Sequence, residues 1–264
     1  MKQNPMDKRL MLLARFGILL AVLAAWEGAA RHFPAVQFAL ARPTLVGNAL
    51  ADLLRGWMIL PHVAATGGAA VLGLVLGTVL GAGLGLLTWF SRSTAQVLRP
   101  FVVALGAMPI LTVAPMMIIW FGIGLEMKVA LATLSTVFVA FAQSAQGAEK
   151  VSNEYVEVLQ GMNATPAQVF IKVVVPGSLD WVFSSMRLNA GLALLGAFIG
   201  EFIASNRGLG YLVLRASSLY DVPRAIAAAF FIVMLALIFD WTGTQIEKRR
   251  NILIRWFCIS TCIR

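Results

Sequence analysis

Apolar residues gather in six runs, at 10–30, 63–90, 101–122, 127–147, 184–204 and 224–243. Each is close to the roughly 20 residues that a helix needs to cross a bilayer. The pattern predicts an all-α membrane protein, a polytopic bundle of about six transmembrane helices. The first run has the basic lead-in of a secretory signal, but Arg15 interrupts it and no small-x-small cleavage site follows, so a retained first helix is expected. In the second run Gly73, Gly77, Gly81 and Gly85 recur every four residues along one helix face. Such a face lets helix backbones approach closely, and packing within the subunit is its expected use.

One long polar interruption divides the second half of the chain. Residues 154–176, EYVEVLQGMNATPAQVFIKVVVP, form an amphipathic stretch between two apolar runs. Thr165, Pro166 and Gln168 have the spacing of a capping box with proline at the first helical position, where its missing N–H costs nothing. Asn163 tolerates a left-handed backbone, so a tight turn is expected there. The prediction is a short helix over about 153–161, a turn, and a second short helix over about 166–174 stopped by Pro176 and Gly177. Two short surface helices on a membrane protein suit docking of a soluble partner.

The remaining segments are less regular. Residues 31–62 read as an interfacial segment with an amphipathic helix capped near Thr44. Asn206, Arg207, Gly208, Leu209 and Gly210 read as a tight turn. In the run at 101–122, Met108-Pro109 and Pro115 are expected to break the helix and free carbonyls towards a cavity. The organisation expected is a first helix with its amphipathic segment (1–62), a five-helix core with a polar loop at 148–183 (63–245), and a basic tail (246–264).

Composition sharpens the class. Hydrophobic residues make up 59% of the chain and charged residues 12%, about half the charge of a soluble domain. Mean hydropathy is +0.83. Fourteen of the 21 basic residues fall in 1–15, 91–100, 148–187 and 244–264. That bias places those segments, both termini included, in the cytoplasm. It also accounts for most of the net charge of +9 without a nucleic-acid partner. Cys258 and Cys262 lie in the tail, a poor metal site and an improbable disulfide in a reducing compartment.

No residue set looks catalytic, and no metal site is expected. The GxxxxGK[ST] phosphate loop is missing from the sequence, so ATP binding by this chain is not expected. His32 and His62 stand alone in loops. Within the apolar runs Glu201 is the sharpest feature: a carboxylate in the outer half of its helix, read either as an interfacial group paired with Arg207 or Arg215 or as a gate. Gln143, Gln146 and Asn189 are amides of the kind that bond neighbouring helices more often than solutes. The sequence offers no dedicated anion cage.

The polar loop resembles the EAA loop of binding-protein-dependent ABC importer permeases. Glu157 takes the position of the family's glutamate, Asn163 that of its glycine, Val173 and Val175 its hydrophobic pair, and Pro176 its proline. Val158 and Leu159 stand where alanines are usual. The run SSMRLNAGLALLGAFIGEFIASNRGLGYLV resembles the branch that imports nitrate, taurine and alkanesulfonates. The resemblance implies a permease subunit in the bacterial inner membrane, working as a homodimer with two cytoplasmic ABC ATPases and one periplasmic binding protein. ATP and Mg would bind to the ATPase, and no cofactor to this chain. It implies ATPase coupling through Glu157, Gln160, Gly161, Met162, Asn163, Ala164 and Pro176. Pathway or gate candidates are Met108, Pro109, Gln143, Asn189 and Glu201; binding-protein contact candidates are Arg207, Gly208 and Gly210. The implied solute is small and anionic, of the sulfonate, nitrate or taurine kind. The alternative is an ion-coupled secondary transporter with Glu201 as its titrating group.

Overall fold

The computed structural model describes residues 8–262, and of 8–10, 12 and 246–262 the backbone alone. Among these residues every regular element is helical: α1 (Lys8–His32), α2 (Pro34–Leu40), α3 (Pro43–Arg55), α4 (Leu60–Leu87), α5 (Arg92–Gly106), α6 (Ile110–Phe121), α7 (Leu125–Glu149), α8 (Asn153–Gly161), α9 (Pro166–Val169), α10 (Val175–Ile203), α11 (Leu209–Ser218) and α12 (Val222–Cys262). A 3-10 turn, Thr88–Phe90, follows α4, and a π-helical turn, Phe170–Val174, joins α9 to α10. Five segments, Leu13–His32, Leu60–Phe90, Leu125–Glu149, Pro166–Ile203 and Val222–Gln245, are long and apolar enough to cross a bilayer. The third expected run falls on the pair α5 and α6, bent by 91° at the break expected at Met108-Pro109, which makes a sixth span if the pair crosses as one.

That bend has a local cause. Pro109 lacks an N–H and pushes the residue before it away from helical backbone, so the ladder stops at Ala107 and restarts at Ile110. Pro115, expected to break the chain as well, lies inside α6 without ending it. It removes one ladder bond from the interior of α6, and the helix continues past it to Phe121.

Two compact units are present. The first contains α1–α3 with residues 212–230. There α3 is not capped by its own residues. Its N-cap position, Arg42, makes no capping side-chain bond, its guanidinium donating instead to Gln37 at 2.9 Å. Thr44, the expected cap, donates its backbone N–H (3.2 Å) and hydroxyl (3.3 Å) to Glu27 of α1, which Arg31 also holds at 2.8 Å. A carboxylate beside the free N–H groups of a helix start satisfies both them and the helix dipole.

The second unit holds residues 61–211 and 231–264. Its core is α7, against which α4, α6 and α10 pack. Ala114 and Met117 of α6 meet Met127 and Leu131 of α7 in a fully apolar cluster. The glycine face of α4 lies on α7, within the same subunit as expected. A side chain at Gly73 would enter Ala132, one at Gly77 would enter Thr136, and one at Gly85 would enter Ser144. Gly77→Ile is therefore expected to force α4 and α7 apart and to lower the amount of folded protein recovered from membranes severalfold. Gly83, with open space around it, should accept the same change, and equal recovery of the two variants would refute the packing role.

Sequence expectation and structure part at Pro176. The second short helix does not stop there; α9, the π-helical turn and α10 run on as one apolar segment from Pro166 to Ile203. Pro176 falls in the first turn of α10. The wider π-helical turn just before it alters the i→i−4 geometry in which a proline ring would clash. At the other end of the chain α12 continues to Cys262, and the side chains of Cys258 and Cys262 lie outside the described residues.

Candidate functional site

Three places in the second unit gather polar or exposed residues in ways that packing alone does not require. The first is the loop between α7 and α10. Ser152 caps α8 by accepting from the Glu154 N–H at 3.3 Å. After α8, Asn163 adopts the expected left-handed conformation at φ 60°. Its N–H donates to Gln160 O at 2.9 Å and the next N–H, of Ala164, to Leu159 O at 3.0 Å. The capping box forms: the Thr165 N–H donates to Gln168 Oε1 (2.8 Å) and the Gln168 N–H to Thr165 Oγ1 (3.4 Å). No residue of α8 is buried. Met162 is 76% exposed at the turn, and Tyr155 and Val158 are exposed on α8. Glu157, Gln160, Gly161 and Asn163 share this open surface.

Aromatic contacts brace the base of that loop. Phe170, in the π-helical turn, packs on Phe90 and Trp89 at the end of α4, with ring centroids 4.7 and 6.0 Å away. The Lys150 ammonium sits 4.4 Å from the Trp181 ring centre, a favourable electrostatic contact.

The second place lies at the opposite end of α7 and α10. Glu201 is wholly buried within the subunit, and its cation is Lys128 at 3.4 Å. That corrects the expected pairing with Arg207 or Arg215; Arg207 contributes its carbonyl, which accepts from Lys128 Nζ at 2.6 Å. Glu201 Oε2 also accepts from the Thr66 hydroxyl (2.7 Å) and the Gly210 N–H (3.1 Å). Thr66 Oγ1 in turn accepts from the Leu209 N–H at 2.8 Å. His62 does not stand alone: its Nδ1 accepts from the Gly208 N–H at 3.0 Å and its ring stacks on Tyr211. Gly208 has φ +127°, and a Cβ there would run into the Glu201 carboxylate, so the turn requires glycine. Three helices, α4 through His62 and Thr66, α7 through Lys128 and α10 through Glu201, thus clamp one turn.

Beside that clamp a cavity of about 360 Å³ is lined by Lys128, Ser205, Asn206 and Arg207. At the α5–α6 bend, Met108, Trp120, Phe138 and Leu195 line an apolar cavity of about 400 Å³, with Pro109 as the first residue before α6. Gln143 is half-buried on α7. Asn189 is fully buried in α10 with no hydrogen-bond partner for either amide atom among the described residues.

The third place went unseen in the sequence. Arg187 of α10, counted there among the flanking basic residues, donates from Nε to Asp240 of α12 at 3.2 Å. The signal that would have found Lys128 was present: a buried glutamate demands a cation, and Lys128 is the basic residue in the first turn of the neighbouring span. Asp240, in an otherwise apolar run, was visible in the same way.

The profile of the family described as "Binding-protein-dependent transport system inner membrane component" matches residues 69–252. The formylaminopyrimidine transport permease protein ThiX of Halalkalibacterium halodurans is 30% identical over 237 residues, which are 90% of this chain and 93% of ThiX. The putative aliphatic sulfonates transport permease protein SsuC of Escherichia coli is 26% identical over 253 residues, 96% of this chain and 95% of SsuC. Among solved structures, an inward-facing MetNI methionine ABC transporter superposes with a TM-score of 0.65 at 18% identity, over 74% of this chain and 97% of that one.

Proposed function

From the premise that the chain belongs to the family of binding-protein-dependent transport system inner membrane components, and so is a permease subunit of an ABC import system, we propose how its parts serve transport. Residues 148–183 face the cytoplasm, and α8, the Asn163 turn and α9 dock into a groove of a separate ATPase. The observation that carries this reading is the open surface around Met162 on a turn fixed by its own caps. Glu157, Gln160, Gly161, Met162, Asn163 and Ala164 form the contact, and Pro176 belongs to the root of the lever above it. ATP and Mg bind to that partner and not to this chain.

Motion then has a short route. The helix from Pro166 to Ile203 is 38 residues, about 57 Å at 1.5 Å per residue. It joins the docking loop at one end to the Glu201 clamp at the other. When the ATPase dimer closes, the docking loops of two permease copies approach, and each lever tilts against α7. The bend at Met108-Pro109, with its apolar cavity, forms part of the pathway wall, and Gln143 and Asn189 gain partners as the wall moves. At the periplasmic end the clamp presents Arg207 on a rigid turn, with Gly208 and Gly210, to a solute-binding protein. Glu201 acts there as a fixed member of the clamp and not as a carrier of transported protons, since Lys128, Thr66 and Gly210 already hold its carboxylate.

The solute is small and organic, and the sulfonate kind is favoured by the likeness to SsuC over nearly the whole chain. Both termini lie in the cytoplasm of a bacterium, and the working permease is a pair of these chains. Single cysteines at Gln160 and Met162 are expected to cross-link to the ATPase in membranes. Labelling of those cysteines only from outside the cell would refute the docking assignment and the topology together.

A further inference from the structure

Charged side chains that face hydrocarbon are costly, so a charged pair left partly open on spanning helices belongs at headgroup level or against a polar ligand. Arg187 of α10 and Asp240 of α12 are such a pair. They meet at 3.2 Å, yet their side chains stay 44% and 63% exposed. Their height follows from helix rise. Arg187 lies about 24 Å along α10 from its outer end at Ile203, and Asp240 about 27 Å along α12 from its outer end at Val222. Across a hydrocarbon layer of about 30 Å, both distances end just inside the inner boundary. The neighbours agree with that level. The exposed Trp241 is of the kind enriched at membrane interfaces, and Lys248, Arg249 and Arg250 follow about two turns later. Two cavities meet at Arg187. One, of about 570 Å³ between α10 and α12, is lined by Ser184, Arg187, Gly191, Ala236 and Asp240. The other, of about 230 Å³, is mostly apolar, with Val71, Leu74, Phe183, Met186 and Phe239 beside Arg187.

We propose that these two cavities hold one phospholipid of the inner leaflet, with a headgroup that joins a phosphate to a primary ammonium, as in phosphatidylethanolamine. The phosphate lies on Arg187, the ammonium on Asp240, and an acyl chain in the apolar cavity. The choice of leaflet rests on the topology given above, with residues 148–183 in the cytoplasm. A guanidinium presents a fork of N–H donors that matches phosphate oxygens, and basic pockets between helices on the cytoplasmic side suit lipid headgroups. A lone arginine would take any phospholipid. Asp240 adds the selectivity. Its charge disfavours a headgroup that is negative overall, and it accepts hydrogen bonds from a primary ammonium but finds no N–H on the quaternary ammonium of phosphatidylcholine. The direction fits as well. Arg187 borders both cavities and Asp240 only the larger one. The group that suits phosphate therefore adjoins the acyl site, which is the covalent order of a phospholipid. The Ser184 hydroxyl, three residues before Arg187 on the same helix face, adds a donor for the phosphate. The two charges lie 53 positions apart in sequence, and neither run alone shows the pair.

The test uses the full-length permease in detergent micelles, with bound lipid counted by native mass spectrometry. Phosphatidylethanolamine, phosphatidylcholine and phosphatidylglycerol of identical acyl chains are added in turn. The first is expected to bind roughly fivefold more tightly than either of the others, the difference of about one hydrogen bond. Asp240→Asn should abolish that preference, and Arg187→Gln should weaken binding of all three. The exchange Arg187→Asp with Asp240→Arg keeps an ion pair, and with it thermal stability, but sets a carboxylate against the phosphate. A lipid cannot reverse its headgroup, so the exchanged protein should fold and lose the preference, whereas a merely structural pair would leave lipid binding as it was. Equal binding of the three lipids by the unaltered protein, or a preference that survives in Asp240→Asn or in the exchanged protein, would overturn the proposal. So would displacement of the bound lipid by soluble O-phosphoethanolamine at micromolar concentration, which would assign the cavity to a solute. Lipid counting involves no ATPase and no sidedness, so these outcomes leave the importer reading untouched. Labelling of cysteines at Gln160 and Met162 only from outside the cell would instead refute the topology and the choice of leaflet together.

Discussion

Lys128→Met is expected to destabilise the folded permease by about 3–5 kcal/mol, the usual cost of leaving one member of a buried ion pair alone. Glu201 is fully buried and Lys128 is 5% exposed, so the carboxylate would lose its one charged partner inside the protein. Two neutral donors, Thr66 and the Gly210 N–H, would be left to hold a full negative charge. The Arg207 carbonyl would lose one of its two donors, keeping only the Ser205 hydroxyl, and the turn that Leu209 and Gly208 help to fix would be held less firmly. In a chain of this length each kcal/mol lowers Tm by roughly 2–4 °C, so thermal unfolding in detergent should fall by on the order of 10 °C. The double variant Lys128→Met with Glu201→Leu removes both charges, and replacing a buried pair by apolar side chains is often neutral. It should recover most of the loss, and the coupling in that cycle is the pair's own signature. A single variant with unchanged Tm would show that the carboxylate is not held as described.

The contrast between that clamp and the docking loop explains what the sequence could reveal. The Asn163 turn, the Thr165–Gln168 box and the extent of α8 are decided by residues within a few positions of one another. Their chemistry was therefore legible, as was the glycine face of α4, although its partner helix was not. Glu201 announced a need for a cation but not which one. Lys128 lies 73 positions away, and only the packing of α10 on α7 brings it near. Nearby Arg207 was the reasonable choice and it supplied a carbonyl instead. The stop assigned at Pro176 failed for a different reason. A proline ends a helix when it falls in the interior of a regular α-helical ladder, but here a π-helical turn precedes it and the proline opens a new α-helix. Pro109 stops the ladder before it and stands just ahead of α6, whereas Pro115 lies inside α6 and costs one bond without ending the helix.

Asn163→Val is expected to uncouple the transporter. The backbone at this position sits at φ 60°, a region that costs an ordinary L-residue roughly 1–2 kcal/mol and a β-branched one more. The turn cannot relax without losing the Gln160 and Leu159 carbonyl bonds that close α8, so Met162 and α9 would leave their present directions. No buried contact depends on the Asn163 side chain, which is exposed, and membrane insertion should be unaffected. In proteoliposomes holding the variant, its ATPase and the liganded binding protein, stimulation of hydrolysis by the binding protein should drop about tenfold, while basal hydrolysis persists. Asn163→Gly should retain full stimulation, because glycine enters the left-handed region freely. This pair of variants separates backbone geometry from side-chain contact: if glycine failed as valine does, the Asn163 amide itself would be the contact with the ATPase. If both variants were stimulated as strongly as the unaltered protein, the turn would have no part in coupling, and the docking surface would have to be sought elsewhere on the chain.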